Sequence, residues 1–412
     1  MRSIQKTCMV CGGKLSLLLE LDNMPASAQN IPTPGEAEQD HPITLRLCQC
    51  GKCGLVQLDN EPVSYYKDVI RAGGQTKTMR ELRHNEYEML LEKMEERGFQ
   101  TRRIVEIGCG RGEFLHMWDD LRTGKVGRDF TVYGIEHKKA LVECAVQNGL
   151  NVTEGFAEGD FKIPNGPFDA FVQFNFLEHQ PDPVDMLRNI RGNLKMHGLG
   201  LVTVPSFEYI LENDGYYELI RDHIANYTMA ALKGLFVSCG FAVLWESTVN
   251  RDTLEILVEK TETEVLPAQP VFDGTKVDVS RLKENYKRLR ETIEKHLAAL
   301  EAKGEKMALW GAGHQGFTLA SATGLAGKVK YIIDSADFKQ GKLSPASHIP
   351  IVPPEHYFED PVEEILIVAP GYAEEIAQTI REKFGDRVII SVLRTETVEV
   401  LNNESVCAEG KR

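Results

Sequence analysis

The chain has 412 residues, 42% hydrophobic and 26% charged, and a net charge of −14 from 47 basic and 61 acidic side chains. That length accommodates two or three domains of ordinary soluble composition. An acidic chain argues against non-specific nucleic-acid binding, which is driven by phosphate neutralisation, but leaves room for a local basic pocket for a small anion. The opening MRSIQKTCMV lacks the apolar core of a signal peptide. No apolar run approaches the roughly 20 residues that span a bilayer, so no membrane association is expected. A cytoplasmic location with reduced thiols follows as the expectation.

Five of the nine cysteines fall within the first 53 residues. Cys8-x2-Cys11 and Cys50-x2-Cys53 form two pairs separated by 38 residues. A C-x2-C knuckle lets two thiolates of one tight turn reach one tetrahedral metal, and two knuckles fill four positions with sulfur. Structural Zn²⁺ is the expected occupant, with free thiols or a redox pair as the alternative. The spacer, which includes NMPASAQNIPTPGEAEQD, suits a long surface loop. A module of about 60 residues buries too little core to be secure alone, so a metal staple has a physical purpose. Four thiolates leave no open position for a substrate, which argues against catalysis by the metal. Cys48, two residues before Cys50, has no assigned role.

The segment RRIVEIGCGRGEFLHMW (102–118) reads as a buried strand, Ile104 to Ile107, then a glycine turn and a helix. Gly108, Gly110 and Gly112 let a cofactor approach the backbone beside a helix N-terminus. The spacing is G-x-G-x-G, not the G-x-G-x-x-G of dinucleotide binders. With Glu106 ahead of it, the turn resembles the first motif of class I S-adenosylmethionine (SAM)-dependent methyltransferases, where it lies against the methionine and sulfonium end of the cofactor. FTVYGIEH is a second strand ending near Glu136, 28 residues after Gly108. A carboxylate there can accept hydrogen bonds from both ribose hydroxyls. LNVTEGFAEGDF follows as a third strand and turn, with Phe156, Ala157 and Glu158 placed to meet adenine. FDAFVQFNFLEHQPDP is a fourth strand running into a helix, Gln173 being a further cofactor candidate and Asp169 a structural helper. HGLGLVTVPS is the fifth strand.

Residues 279–303 form a long amphipathic helix with leucines near helical spacing, ended by Gly304. KMALWGAGHQGFTLASATGL is then a second strand–glycine turn–helix, followed by a strand ending at Asp334 and by EEILIVAPGYAEEIAQTI and RVIISV. This is a small parallel α/β unit. Its turn either binds a phosphate through helix N-terminal amides or is only a tight connection. The fold class is therefore α/β: a Rossmann-like methyltransferase domain, a second smaller Rossmann-like domain and an N-terminal zinc-binding module. The expected boundaries are 1–75, 76–278 and 279–412.

The three parts in this order resemble the sugar C-methyltransferases that act on nucleotide-linked keto sugars in bacterial deoxysugar pathways. The most specific matches are CGLVQL, WGAGHQGFTL and IIDSADFKQGKLSPASHIPIVPPE. The resemblance covers nearly the whole chain. It implies SAM as cofactor, structural zinc on Cys8, Cys11, Cys50 and Cys53, and a dTDP- or other NDP-linked keto sugar as substrate. It places the catalytic region at Asn175 and His179 in FNFLEHQPDP and at Asp222 and His223 in YELIRDHIANYT, with Tyr227 beside the substrate. Gly313, His314, Gln315 and Lys339 become candidates for the nucleotide diphosphate. Two positions depart from the family. Ile220 stands where a tyrosine is usual, and the stretch YYKDVIRAGGQTKTM runs through Ala72-Gly73-Gly74 where tyrosine and serine are usual.

Methylating a carbon beside a ketone requires a base for the α-proton and a donor for the enolate oxygen. Histidine titrates near neutrality and suits the base. His223, oriented by Asp222, is the first candidate. His179 is the second, as base or as donor to the keto oxygen, although LEHQPDP also resembles an ordinary helix start in which histidine packs or caps. Asn175 is a candidate for holding sugar or cofactor. An O- or N-methyltransferase on a related nucleotide sugar is the alternative, favoured by the missing tyrosines. A non-catalytic nucleotide-sugar-binding protein is a further alternative, opposed by the intact turn and Glu136. Net charge and the C-terminal domain oppose an RNA methyltransferase.

Overall fold

The computed structural model describes residues 6–69, 77–100, 102–124, 129–262, 275–368, 373–394 and 397–401. The chain divides into two compact units. The first comprises Met1–Leu17, Cys48–Tyr209 and His223–Val277, and the second Leu18–Leu47, Ile210–Asp222 and Asp278–Arg412. Among the described residues, no helix is long and apolar enough to cross a membrane.

The chain begins with strands β1 (Leu15–Met24), β2 (Ile43–Cys50) and β3 (Val56–Leu58). Then α1 (Lys77–Glu96) leads into β4 (Arg103–Ile107), α2 (Met117–Gly124), β5 (Thr131–Glu136), α3 (Lys139–Gln147) and β6 (Val152–Glu154). Next come β7 (Phe168–Phe174), α4 (Pro183–Gly192), β8 (Leu194–Pro205) and α5 (Phe207–Glu212). The strands β9 (Ala225–Asn226), β10 (Phe241–Val249) and β11 (Thr253–Lys260) follow, with α6 (Met229–Ser238) between the first two. A small sheet has the order β1-β2-β3-β9. The main sheet of the first unit has the order β10-β11-β8-β7-β4-β5-β6. The five strands from β8 to β6 are parallel, and β11 inserts antiparallel to both β8 and β10.

Strand β7, FDAFVQF, is buried along its whole length, as a parallel strand covered on both faces must be. Its one charge, Asp169, is satisfied by the Arg103 amide (2.9 Å) and Lys195 Nζ (2.7 Å), which is the structural role expected of it. Helix α1 buries Tyr87, Leu90, Leu91 and Met94, one face at i, i+3, i+4 and i+7 spacing, and Tyr87 stacks on Trp118 with ring centroids 3.9 Å apart. Helix α4 starts with Asp182 accepting the Asp185 amide and Pro183 in its first turn. Successive strands are added on one side of β4 up to β6 and on the other side from β7, so the ends of β4 and β7 flank the crevice where doubly wound folds place a ligand.

The same face holds a buried cluster that hydrophobic patterning does not reveal. Arg83 and Glu86 of α1 pair directly, Glu255 of β11 lies within electrostatic reach of Glu86, and all three are at most 3% exposed. The Arg83 guanidinium lies 3.4 Å from the Phe174 ring centroid. Burial pushes the Glu86 carboxyl up to about 7, opposed by Arg83. Burial, then the Glu86 charge, pushes Glu255 up to about 8. The folded protein therefore holds protons that the unfolded chain releases. Their stabilising contribution is full below the ordinary carboxylate range and is lost as pH rises through about 7 to 8. Glu255→Gln is expected to flatten this dependence, stabilising the protein at about pH 9 by on the order of 2 kcal/mol relative to wild type and having little effect near pH 5. Urea midpoints of both proteins at the two pH values check this.

The second unit contains α7 (Ser280–Lys303), β12 (Met307–Trp310), α8 (His314–Ala322), β13 (Ile332–Ile333) and β14 (Ile351–Val352). It continues through β15 (Glu364–Ile367), α9 (Ala373–Phe384), β16 (Ile389–Leu393) and β17 (Val398–Val400). Its sheet has the order β14-β13-β12-β15-β16-β17, parallel except for β17. Helix α7 buries Leu282, Leu289, Ile293 and Leu300 on one face and closes on Gly304 in the left-handed conformation (φ 71°).

Candidate active site and cysteine cluster

The glycine turn after β4 is left-handed at Gly108, Gly110 and Gly112, with φ of 68°, 61° and 84°. The Gly108 and Cys109 amides both donate to the Ile135 carbonyl. The left-handed backbone favours glycine at Gly112, and a Cβ there would lie 2.2 Å from Leu150 Cδ1, which would have to move aside. Glu136 ends β5 with its carboxylate fixed at this turn. Its Oε2 accepts the Gly110 amide at 3.0 Å and its Oε1 accepts the Lys138 amide at 2.8 Å. A carboxylate oxygen has more than one acceptor site, so a group held in this way suits a ribose diol. Phe156 lies edge-on to Phe176, and a Cβ at Gly108 would touch the Phe176 ring at 3.3 Å. The aromatic surface thus runs from the glycine turn to Phe156. Ala157 is buried beside it, and Glu106 is buried within β4. Gln173 is fully buried, its Nε2 3.2 Å from Met186 Sδ.

Asn175 follows β7 in the left-handed region (φ 45°). Its amide donates to the Thr203 carbonyl, and its Oδ1 accepts the Thr203 hydroxyl at 2.8 Å. With the oxygen engaged, the Nδ2 protons are left to donate elsewhere. His179 and His223 meet edge to face, ring centroids 4.9 Å apart. Glu178 Oε1 is 3.7 Å from His179 Nε2, and the polar atoms of Glu178, His179 and His223 lie within 4.8 Å of one another. Glu178 and His179 are buried, whereas His223 is half-buried. Asp222, also buried, accepts the Ala28 amide on Oδ2 at 2.9 Å. Tyr227 is fully buried. Its hydroxyl has no hydrogen-bond partner among the described residues, and burial, then the Glu178 charge, pushes it well above its ordinary value.

The four N-terminal cysteines converge. Cys8 and Cys53 sulfurs are 3.5 Å apart, Cys11 and Cys50 sulfurs 3.4 Å, and all four lie within 4.8 Å of one another. A tetrahedron of Zn–S bonds has sulfur–sulfur edges of about 3.8 Å, so the donor set fits the ion. Each knuckle is a tight turn, with Gly12 donating to the Cys8 carbonyl and Gly54 to the Cys50 carbonyl. The amides of Lys52 and Cys53 point at Cys50 Sγ, at 3.3 and 3.5 Å, as suits a thiolate. The Cys53 hydrogen bond holds the Cys8 thiol well below its ordinary range. Cys48 is buried but is not one of the four.

In the second unit, the turn after β12 packs so closely that a Cβ on Gly316 would be 2.1 Å from the Gly311 carbonyl oxygen. Gly313 is the N-cap of α8. Asp334 accepts the Ala312 amide (2.9 Å), and Lys339 bridges the Ala312 carbonyl (2.8 Å) and Asp334 (3.1 Å). His314 Nε2 is 2.8 Å from Glu218 Oε2, and Gln315 donates to the other Glu218 oxygen. A carboxylate therefore sits on the first residues of α8, a position that favours an anion. Burial disfavours the His314 imidazolium, but the Glu218 hydrogen bond and charge outweigh it and raise the histidine. Burial likewise opposes the Glu218 carboxylate, which the His314 and Gln315 bonds hold low.

The sequence singles out His179, His223, His314 and Gln315 but not Glu178, Thr203 and Glu218. The carboxylate Glu178 was legible beside His179; Thr203 and Glu218 become visible only when distant segments meet. The Ala72-Gly73-Gly74 stretch lies outside the described residues.

Residues 79–246 match the family described as a methyltransferase domain, and residues 275–392 match the C-methyltransferase C-terminal domain. The chain is a SAM-dependent methyltransferase with a Rossmann-like α/β catalytic fold. It is 27% identical over 411 residues to the C-methyltransferase NovU of Streptomyces niveus, a match covering 93% of this chain and 95% of that protein. Among solved structures it is similar to the PH0226 protein of Pyrococcus horikoshii OT3, at 14% identity and a TM-score of 0.36, covering 48% of this chain and 95% of that one. It is also similar to the plantazolicin methyltransferase BamL in complex with a triazolic desmethylPZN analogue and SAH (S-adenosylhomocysteine), at 11% identity and a TM-score of 0.37, covering 46% and 88%.

Proposed function

We propose that the protein methylates a carbon of a nucleotide-linked keto sugar, with His223 as the base. The observation that carries this reading is the Glu178–His179–His223 cluster, which joins a half-buried imidazole to a buried imidazole–carboxylate pair. His223 is the more accessible of the two rings and takes the α-proton. Glu178 stabilises a protonated His179, which then donates to the oxyanion of the enolate. Asn175, its oxygen held by Thr203, presents Nδ2 protons as a further donor. SAM supplies an electrophilic methyl group when bound. Glu106, the turn through Gly108, Gly110 and Gly112, Glu136, Phe156, Ala157 and Gln173 are the residues assigned to hold it, the first four bearing on its methionine end and Glu136 on its ribose. Asp222 positions the loop that carries His223 through its bond to Ala28. Tyr227 backs the sugar site.

Gly313, His314, Gln315 and Lys339 are assigned to the diphosphate of the substrate, which would exchange with the Glu218 carboxylate. The raised His314 supports this reading, because a protonated imidazole favours an anion. The four cysteines hold a structural Zn²⁺, and the functional division is 1–75, 76–278 and 279–412. The relationship to NovU, named a C-methyltransferase, supports carbon as the acceptor.

The test is incubation of the full-length protein with SAM carrying a ¹³C-methyl group and a panel of nucleoside-diphosphate 4-keto sugars, followed by NMR of the products. A methyl resonance on ring carbon is expected. A label found only on oxygen or nitrogen rejects C-methylation in favour of the O- or N-methyl alternative. Binding without transfer points to a non-catalytic role.

A further inference from the structure

The segment that follows the cysteine module reaches back over the cofactor-binding loops, and no role in the proposed chemistry uses it. Lys67 Nζ lies 2.7 Å from both oxygens of Glu158 and 4.6 Å from the centroid of the Phe156 ring. Asp68 Oδ1 is 2.8 Å from Nδ1 of His137, the residue directly after Glu136. The Tyr66 ring meets Phe156 edge-on at 6.3 Å, and His137 meets the same ring at 5.9 Å. Three consecutive side chains therefore contact Phe156, Glu158 or His137, the residue after Glu136, in the region read as facing ribose and adenine. Phe156 is ringed by Tyr66, His137, Phe176 and the Lys67 ammonium, a set of aromatic faces and edges suited to a purine.

Surface ion pairs are usually worth little, and Glu158 is half-exposed, so as fold-stabilising contacts these pairs would contribute almost nothing. Their placement is more informative than their strength. Lys67 and Asp68 each pair with a residue adjacent to a cofactor-facing one, and together they draw Tyr66 onto Phe156. We infer that Tyr66, Lys67 and Asp68 form the outer wall of the adenine end of the cofactor pocket, so that the segment attached to the cysteine module contributes to cofactor affinity. This rests on the reading of Glu136 and Phe156 as cofactor residues. The ligand chemistry is a purine nucleoside: an aromatic face to stack and a ribose diol to bond. With the wall closed, release of the nucleoside requires the Lys67–Glu158 and Asp68–His137 pairs to part, so dissociation is slowed more than association.

The experiment uses the full-length zinc-replete protein and SAH as the probe, with affinity measured by calorimetry and melting temperature recorded without ligand. Lys67→Glu and Glu158→Lys are each expected to weaken SAH binding about fivefold at unchanged melting temperature, with the reciprocal double variant returning to within about twofold of wild type. Tyr66→Ala, which leaves both ion pairs intact, is expected to weaken SAH by about tenfold through loss of the aromatic wall. Wild-type affinity in the two charge variants and in Tyr66→Ala overturns the inference. So does weakening by the single charge changes that the double variant fails to restore. Glu136→Ala separates the two levels of the argument: if it binds SAH as tightly as wild type, the reading of the cofactor site itself has failed.

Discussion

His223→Asn lowers the rate of methyl transfer by about three orders of magnitude, the range removed with a positioned general base, and leaves SAH affinity within about twofold. Asparagine approximates the shape of imidazole and can still hydrogen-bond, but it accepts no proton near neutrality. The cofactor contacts assigned to the Gly108–Gly112 turn and Glu136 lie elsewhere, after β4 and at the end of β5. The loss therefore falls on kcat, not on cofactor binding. His179→Gln is expected to cost less, by about two orders of magnitude, because a neutral amide still donates to the oxyanion without the charge that Glu178 supports. Single-turnover transfer rates and SAH calorimetry on both variants check this. Wild-type turnover in His223→Asn removes His223 from the base role.

Cys50→Ser abolishes zinc binding and lowers stability by on the order of 5 kcal/mol, because binding free energy at a structural zinc site is folding free energy. Cys50 is fully buried and its sulfur receives two amide hydrogen bonds, so no neighbouring group can replace it. Cys48→Ser serves as the control: equally buried, outside the tetrad, and expected to keep one zinc per chain. Elemental analysis gives the stoichiometry, and urea unfolding with and without chelator gives the stability. One zinc and wild-type stability in Cys50→Ser contradicts the assignment.

Much of this was legible in the sequence because local chemistry enforced it. The two C-x2-C pairs can meet only if the chain between them folds back, and their spacing announces that. The turn at Gly108–Gly112 was legible because its left-handed backbone demands glycine at the positions where glycine appears. Helix α7 was legible from its apolar spacing and Gly304. What escaped notice depends on contacts between distant segments. Glu218 lies 96 residues from His314, and nothing in YYELIRDH distinguishes a carboxylate that will sit on a helix N-terminus from one that will face water. Glu255 reads as an ordinary polar position of an edge-like strand, yet β11 inserts between β8 and β10 and buries it against Glu86. The approach of Lys67 and Asp68 to the Phe156 region is of the same kind, set by tertiary packing with no local signal.

The central claim is that His223 generates an enolate on the substrate. Proton exchange measures that step without methyl transfer. The protein is incubated in D₂O with SAH in place of SAM and a nucleotide-linked 4-keto sugar, and the α-proton resonance is followed by NMR. Enzyme-dependent loss of the α-proton signal in wild type, slowed at least about a hundredfold in His223→Asn, is the expected result. An α-proton retained in wild type under conditions that support methyl transfer with SAM, or exchanged equally fast by His223→Asn, would contradict it.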